Sequence, residues 1–226
     1  MNSTKEYAVS GILSLSITKH LLMYDILELS AKSQDDLYAI AKELNIKKPE
    51  NIKKEDSYVF LANHQGYYDI FLAYGYLGHN FKWMMKEYLK KIPFVGYACV
   101  KAKHIYLPDG ISGIAKAVQQ ARETLQGGMS MIIFPEGTRT RTGKMSPFKR
   151  GSFMLANEIG LPIVPMTING SFDVFSRNDK SVNFGTVTLT IHKPITAEDR
   201  QGKQTKVVMQ EVYDIINAGL DEKHRD

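Results

Sequence analysis

The chain has 226 residues, the size of one globular domain or of one domain with a small appendage. Hydrophobic residues make up 43% of it and charged residues 23%, a balance that supports a folded core and excludes disorder as its main state. The net charge of +5 is unevenly spread, because Lys82–Lys103 has six lysines and one acid and Arg139–Arg150 has five basic residues and no acid. The rest of the chain is acidic overall, which predicts an anionic partner bound at a defined place.

The sequence also argues against several broad classes. Its single cysteine, Cys99, excludes an internal disulfide framework and is typical of a reducing compartment. The histidines and this cysteine do not have the spacing of metal ligands, so no metal site is expected. The longest stretch without a charged residue, 159–172, has 14 residues, whereas a membrane-spanning helix needs roughly 18. No small-residue cleavage site follows the uncharged run at 7–18, so a signal peptide is not expected either.

The first 46 residues are predicted to form a two-helix hairpin. Residues 6–31 carry apolar side chains at roughly helical spacing, and Ser33 followed by two aspartates is typical of the start of a second helix. The first helix has two interpretations: an amphipathic helix packed on the domain, or an interfacial helix that dips into a membrane. A lysine-rich stretch, Lys47–Asp56, separates this hairpin from a domain predicted over residues 57–226.

From Ser57 onward, segments typical of strands alternate with segments typical of helices. The predicted strands are 58–62, 82–85, 104–107, 129–134, 163–168 and 187–192, and the predicted helices are 69–76, 109 or 112 to 125, 151–158 and 206–220. This alternation predicts an α/β fold with a mixed, mostly parallel sheet flanked by helices, joined to the N-terminal two-helix, membrane-associating hairpin.

A histidine and an aspartate flank the turn that follows the first predicted core strand, in the segment Asn63–Asp69. Ligands of open α/β sheets bind outside the carboxyl ends of the strands, and Gly66 would let the turn bring the Asp69 carboxylate to the His64 imidazole. Such a pair fixes the histidine tautomer and leaves its second ring nitrogen as a general base for a hydroxyl supplied by the substrate. The structural alternative is that His64 only hydrogen-bonds in the loop and Asp69 only caps the helix.

Basic and hydroxyl side chains follow another core strand, in the segment Phe134–Arg141. Its proline and glycine predict a tight turn, and Arg139 and Arg141 offer forked donors that suit phosphate oxygens. The helix predicted from Gly151 would add backbone donors at its N-terminus. The segment therefore predicts an anion site, with a solvated basic loop as the alternative. Because no Walker or dinucleotide glycine pattern is present, a nucleotide fold is disfavoured.

Taken together, these blocks resemble the glycerolipid acyltransferase family, in particular its 1-acyl-sn-glycerol-3-phosphate acyltransferase branch. The blocks that carry the resemblance, in this order, are Asn63-His64-x4-Asp69, Phe134-Pro135-Glu136-Gly137-Thr138-Arg139 and Gly160-Leu161-Pro162-Ile163-Val164-Pro165. The resemblance covers about residues 57–195, and several blocks in register are far more specific than one.

The resemblance implies an activity and a role for each site residue. The family transfers a fatty acyl group from acyl-CoA or acyl carrier protein to the hydroxyl of a lysophospholipid. For this chain the resemblance implies 1-acylglycerol-3-phosphate as the acceptor, phosphatidic acid as the product, and neither a cofactor nor a metal. By resemblance, His64 is the general base and Asp69 its orienting partner. The acceptor would be bound by Glu136, Gly137, Thr138 and Arg139, with Arg139 on its phosphate.

The second block of the family is incomplete in this chain. Lys86-Glu87 and Ile92–Gly96 resemble it, but Pro108-Asp109 stands where the family has an Asp-Arg pair whose arginine lies near the acceptor phosphate. Lys103, or Lys101, would then supply the missing positive charge, or the acceptor differs from 1-acylglycerol-3-phosphate.

Four lysines, Lys82, Lys86, Lys90 and Lys91, have two interpretations, a solvated helix face or a surface near anionic lipid headgroups. With a lipid substrate and the N-terminal hairpin, the resemblance implies a peripheral or monotopic protein on the cytoplasmic face of a membrane, with no nucleic-acid partner. Three other functions remain open: an acyltransferase for another lysolipid or an acylated amino acid, an acyl-thioester hydrolase, and a non-catalytic basic module that binds membrane or nucleic acid.

Overall fold

The computed structural model describes residues 52–108, 111–179 and 181–226. The two-helix hairpin predicted at residues 1–46 lies outside the described residues. Within the described residues, no helix is both long enough and apolar enough to cross a membrane.

Six strands and seven helices make up the described part of the chain. The strands are β1 (Val59–Ala62), β2 (Phe81–Lys86), β3 (Ile105–Leu107), β4 (Ser130–Ile133), β5 (Ile163–Asn169) and β6 (Thr188–Ile191). The helices are α1 (Tyr68–Tyr76), α2 (Val95–Lys101), α3 (Ile111–Thr124), α4 (Arg150–Ile159), α5 (Ser171–Phe175), α6 (Ala197–Arg200) and α7 (Thr205–Ala218), and 3₁₀ turns cover Glu87–Lys91 and Glu222–His224.

The predicted elements of the α/β domain are all present, with ends shifted by at most two residues. The sequence patterns did not predict α2, α5 or α6, because helices of four to seven residues are too short to show a hydrophobic period. Lys86 ends a strand and Lys90 lies in a 3₁₀ turn, so the proposed solvated α-helical face of lysines is wrong.

The six strands form one sheet in the order β3-β2-β4-β1-β5-β6. All neighbouring pairs are parallel except β5 and β6, which are antiparallel. This confirms the mixed, mostly parallel sheet. Because β2, β4, β1 and β5 run in the same direction, their carboxyl ends lie on the same side of the sheet, and the loops that follow them start there.

The core has two layers, one on each face of the sheet. In β1, Val59 and Leu61 pack with α3, α4 and α7 on one face, and Phe60 and Ala62 pack with α1, α5 and β6 on the other. Successive strand residues point to opposite faces, so a strand covered on both sides is apolar throughout. The site lies where this covered strand ends.

Candidate active site

The turn after β1 is attached to β5 by the side chain of Asn63. Its Nδ2 donates to the carbonyl of Ile168 at 2.8 Å, and its Oδ1 accepts the Ile168 amide at 2.7 Å. Asn63 is fully buried and both ends of its amide are paired. This reciprocal pair fixes the position from which His64 leaves the sheet.

His64 and Asp69 meet across the turn, as the sequence predicts. The His64 Nδ1 lies 2.6 Å from the Asp69 Oδ2, and Asp69 is fully buried. The same oxygen accepts the backbone amides of Gln65 at 2.7 Å and Gly66 at 3.0 Å. An Nδ1–H donated to this carboxylate leaves Nε2 as the basic nitrogen, and about a sixth of the His64 side chain (16%) remains exposed. The structure thus provides the geometry of a general base.

Gly66 allows this turn to pack against the start of α5. A Cβ at this position would lie 2.5 Å from the carbonyl oxygen of Ser171 and 2.7 Å from that of Phe175. The amide of the next residue, Tyr67, donates to the Phe175 carbonyl at 3.1 Å. Glycine is therefore required here by the close approach of two backbones, which holds α5 against the turn that carries His64.

Glu136 joins the His64 turn to the loop after β4. Its Oε1 accepts the His64 amide at 2.7 Å, and its Oε2 accepts the Ser146 amide at 2.8 Å. Burial raises the Glu136 pKa to about 7, with a contribution from the Asp69 charge, although the backbone hydrogen bonds act in the opposite direction. These bonds give Glu136 a positioning role, and the acceptor contact expected from the sequence stays a prediction.

The loop after β4 also supplies the aromatic ring that packs against the His64 imidazole. The Phe134 ring stacks on the His64 imidazole with 3.8 Å between centroids and 7° between planes. Gly137, at φ +71°, closes the turn by donating its amide to the Phe134 carbonyl at 2.9 Å. Thr140 donates its amide to the His64 carbonyl at 2.8 Å. The loops after β1 and β4 therefore form one unit, built on backbone hydrogen bonds.

Two arginines lie together next to this unit. The Arg139 guanidinium carbon sits 3.7 Å from the centre of the Tyr67 ring, and its Nη1 is buried with no hydrogen-bond partner in the part of the chain that the structure describes. Arg177 donates to the Oγ1 of Thr138 at 3.1 Å and to the Arg139 carbonyl at 3.4 Å. The sequence analysis missed Arg177. The sequence feature that could have indicated Arg177 is its position soon after β5. The carboxyl end of β5 lies on the same side of the sheet as the carboxyl end of β1.

Several buried polar atoms at this site have no hydrogen-bond partner among the described residues. Besides the Arg139 Nη1, they are the Oδ1 of Asp69, the Oγ of Ser171 and both amide atoms of Gln65. Buried polar groups are nearly always paired with protein, water or ligand. These atoms are therefore candidate contacts for a bound molecule or for water.

Lys103 is the one predicted site residue that the structure does not bring to this place. It precedes β3, the strand at the far edge of the sheet, whereas the other site residues follow β1 and β4. It lies next to Lys82, whose pKa is lowered by burial and by the Lys103 charge. In the described residues, no group of three or more His, Cys, Asp or Glu side chains is placed to hold a metal ion.

Comparison with known proteins places this geometry in a family. The acyltransferase family model matches residues 43–169, which include His64, Asp69 and the Glu136–Arg139 turn. The chain belongs to the acyltransferase family.

Relatives of this acyltransferase come from distant organisms. It is 31% identical to the chloroplastic 1-acyl-sn-glycerol-3-phosphate acyltransferase of Arabidopsis thaliana over 183 residues, which are 79% of this chain and 49% of the relative. It is 29% identical to the 1-acyl-sn-glycerol-3-phosphate acyltransferase of Saccharomyces cerevisiae over 181 residues, 74% of this chain and 57% of the relative. The matched region thus spans about half the length of these curated relatives.

A solved structure has the same fold. The 1-acyl-sn-glycerophosphate (LPA) acyltransferase PlsC from Thermotoga maritima matches with a TM-score of 0.67 and 25% identity, over 90% of this chain and 84% of that protein.

Proposed function

We propose that this acyltransferase transfers a fatty acyl group from acyl-CoA or acyl carrier protein to the free hydroxyl of 1-acylglycerol-3-phosphate, which yields phosphatidic acid. The observation that carries the proposal is the 2.6 Å pair of His64 and Asp69 beside the two arginines, Arg139 and Arg177. A base for a hydroxyl and cations for a phosphate are what this acceptor requires. The names of the relatives support the same reaction.

In the proposed mechanism, the His64 Nε2 takes the proton of the acceptor hydroxyl as its oxygen attacks the thioester carbonyl. Asp69, bonded to Nδ1, stabilises the imidazolium that forms. The tetrahedral intermediate then collapses, the carbon–sulfur bond breaks, and the thiolate leaves with the proton held by His64. The new ester and the free thiol are the products. The stacked Phe134 ring and the Glu136 bond to the His64 amide keep the base in place.

The acceptor phosphate is proposed to bind to Arg139 and Arg177. Arg139 has a buried donor, Nη1, without a partner in the described residues, and its stacking on Tyr67 holds the guanidinium plane in a fixed orientation. Arg177 brings a second guanidinium to the same loop. This pair can supply the charge that Asp109 does not provide, whereas Lys103 lies next to Lys82 before the far edge strand.

A second candidate function is acyl transfer to another lysolipid or to an acylated amino acid. The observation that favours it is Pro108-Asp109, which replaces the arginine that the family resemblance predicts. A phosphodiester such as lysophosphatidylglycerol carries one negative charge fewer than a phosphate monoester and would need less positive charge at the site.

The proposed partners are the lysophospholipid, the acyl donor and the surface of the membrane that contains the acceptor. Because both substrate and product carry long acyl chains, the enzyme would work at this surface as a peripheral or monotopic protein on the cytoplasmic side. The basic 82–103 segment supports this location.

The proposal is tested by measuring thiol release from acyl-CoA with a panel of lysolipids, for the wild type and for His64→Ala. The expected result is release that depends on 1-acylglycerol-3-phosphate and is lost in the variant. Release of free fatty acid without any acceptor would instead support a thioesterase. A folded His64→Ala variant with full activity would refute the role of the base.

A further inference from the structure

The segment between β2 and β3 presents large apolar side chains to the outside of the domain. The exposed ones are Tyr88, Ile92, Phe94, Val95, Tyr97 and Val100, here called the Tyr88–Val100 surface. Phe94 is 90% exposed and Tyr97 is 69% exposed. Single exposed apolar residues are ordinary, whereas a group of them within one short segment is a candidate binding surface.

Helix α2, which carries half of this surface, is hardly buried. Its only buried residue is Gly96. A Cβ at Gly96 would lie 2.2 Å from the carbonyl oxygen of Lys90, so the helix rests closely on the preceding 3₁₀ turn. Two short elements thus support each other through their backbones. Among the described residues, nothing buries the large apolar side chains of these two elements.

Phe94 is held outward by an unusual backbone conformation. It has φ +60° and ψ −55°, and the amide of Val95 donates to the carbonyl of Pro93 at 2.6 Å, which together describe a γ-turn. A bulky residue with this φ is strained. Because Phe94 is exposed, its burial in the domain does not offset the strain of this turn. The conformation therefore favours a contact of the Phe94 ring with a partner outside the domain.

Lysines surround the apolar side chains. Lys86, Lys90, Lys91, Lys101 and Lys103 are exposed, and the only acidic residue between them, Glu87, is paired with Lys90 at 3.2 Å. Lys101 extends over the Tyr97 ring, with Nζ 5.6 Å from its centre. Apolar and aromatic side chains among lysines are the composition of surfaces that bind anionic bilayers, where rings enter the interface and ammonium groups meet phosphates.

The position of this surface in the fold also fits a lipid partner. The segment that carries this surface begins directly after Lys86, the last residue of β2. Strand β2 lies next to β4 and runs parallel to it. The segment therefore starts at the carboxyl ends of the strands, where the His64 and Arg139 loops also lie. A bilayer on this side would be near the place where the acceptor must enter.

We propose that the Tyr88–Val100 surface inserts its apolar side chains into the interface of an anionic phospholipid membrane. This deepens the membrane location given under the proposed function, but it requires no catalytic activity. Residues 1–51 contain six lysines and seven acidic residues, so they do not offer the strong negative charge that would complement this surface. A second copy would bring lysines against lysines. An anionic bilayer has both the required charge and the required apolar interior.

The experiment places one environment-sensitive NBD probe on the full-length chain. Cys99→Ser removes the only native cysteine, and Phe94→Cys is then labelled. The matched control is Phe184→Cys in the same background, because Phe184 is equally exposed, at 93%, but lies outside this surface. Vesicles of phosphatidylcholine, with and without 30% phosphatidylglycerol, are added at low and high salt.

Insertion predicts that the probe at position 94 brightens severalfold and shifts to the blue with anionic vesicles, while the probe at position 184 does not. In unlabelled protein, Phe94→Ser with Tyr97→Ser should weaken vesicle binding on the order of tenfold, and Phe184→Ser should not. Several outcomes would overturn the inference: a probe at 94 that is already blue without vesicles, a signal that depends only on protein concentration, or vesicle binding that leaves the probe unchanged. Insertion without acyl transfer by the wild type would refute the proposed function alone.

Discussion

The Glu136 carboxylate accepts the backbone amide of His64 at 2.7 Å, across 72 residues of sequence. With its second oxygen on Ser146, it ties the turn that carries the base to the loop that carries Arg139. One buried side chain thus connects the two loops in which the base and the phosphate site are proposed.

The His64–Asp69 pair should dominate the rate of acyl transfer. We expect His64→Ala and Asp69→Asn each to lower kcat by about 10²–10⁴-fold, because the first removes the base and the second removes the charge that stabilises the imidazolium. Initial rates at saturating acceptor and donor measure the effect. Thermal unfolding serves as the control, since Asp69 also accepts two turn amides. A folded Asp69→Asn variant with unchanged kcat would contradict the orienting role.

Glu136 should make stability depend on pH in a defined direction. Burial raises its pKa from 4.5 to about 7 in the folded state, so between these values the folded protein holds more protons than the unfolded chain. The contribution of Glu136 to the free energy of unfolding therefore falls as pH rises from about 4.5 to about 7, and stays low above that.

Denaturant unfolding at several pH values tests this direction. Relative to Glu136→Gln, which does not titrate, the wild type should lose stability as pH rises through the window. The control is Glu123→Gln, an exposed glutamate on α3, whose difference from the wild type should not follow this trend. If the wild type instead gains stability over Glu136→Gln with rising pH, the direction is wrong.

Arg139 and Arg177 should control the affinity for the acceptor. Loss of a charge-assisted hydrogen bond costs roughly 1.5–3 kcal/mol, so Arg139→Ala and Arg177→Ala are each expected to raise the KM for 1-acylglycerol-3-phosphate by about 10–100-fold. The KM for the acyl donor should change little. Steady-state kinetics with each substrate varied separately provides the measurement.

Arg141→Ala is the matched control for these arginines, since Arg141 lies in the same loop and is exposed. It should have a clearly smaller effect on the acceptor KM. If Arg177→Ala changes only thermal stability and leaves this KM unaltered, Arg177 supports the loop and does not bind the phosphate.

Gly66 should tolerate no side chain. The Cβ of Gly66→Ala would lie 2.5 Å from the Ser171 carbonyl oxygen. Relieving this overlap requires α5 to move away from the turn that carries His64. We expect a loss of about 1–3 kcal/mol in the free energy of unfolding, as for other overpacked sites, together with a lower kcat.

Gly75→Ala provides the contrast. Gly75 lies in α1 with no atom within 4 Å of the added Cβ, so the change should be neutral or stabilise by up to about 1 kcal/mol. Equal effects of Gly66→Ala and Gly75→Ala on stability and kcat would show that the close backbone approach at Gly66 contributes to neither stability nor rate.

Local patterns were sufficient to predict most of the fold. Each long element has a hydrophobic period, or a short apolar run bounded by turn residues, so β1, α3, α7 and the others could be predicted from their own residues. The short helices could not, because α2 and α5 depend on contacts with neighbouring segments. The Gly96 backbone against the Lys90 carbonyl is one such contact, and it has no signature in sequence.

The sequence by itself determined the α/β class and the residues that can act as base and orienting acid. Spacing over five residues is enough to bring Asp69 to His64 across one turn. Only the tertiary structure showed that Arg177 lies against the loop of Arg139 and that Lys103 belongs to a different part of the sheet. Arg177 donates to the carbonyl of Arg139, 38 residues away, whereas Lys103 precedes β3, and the order of strands, which no local pattern encodes, puts β3 at the far side of the sheet.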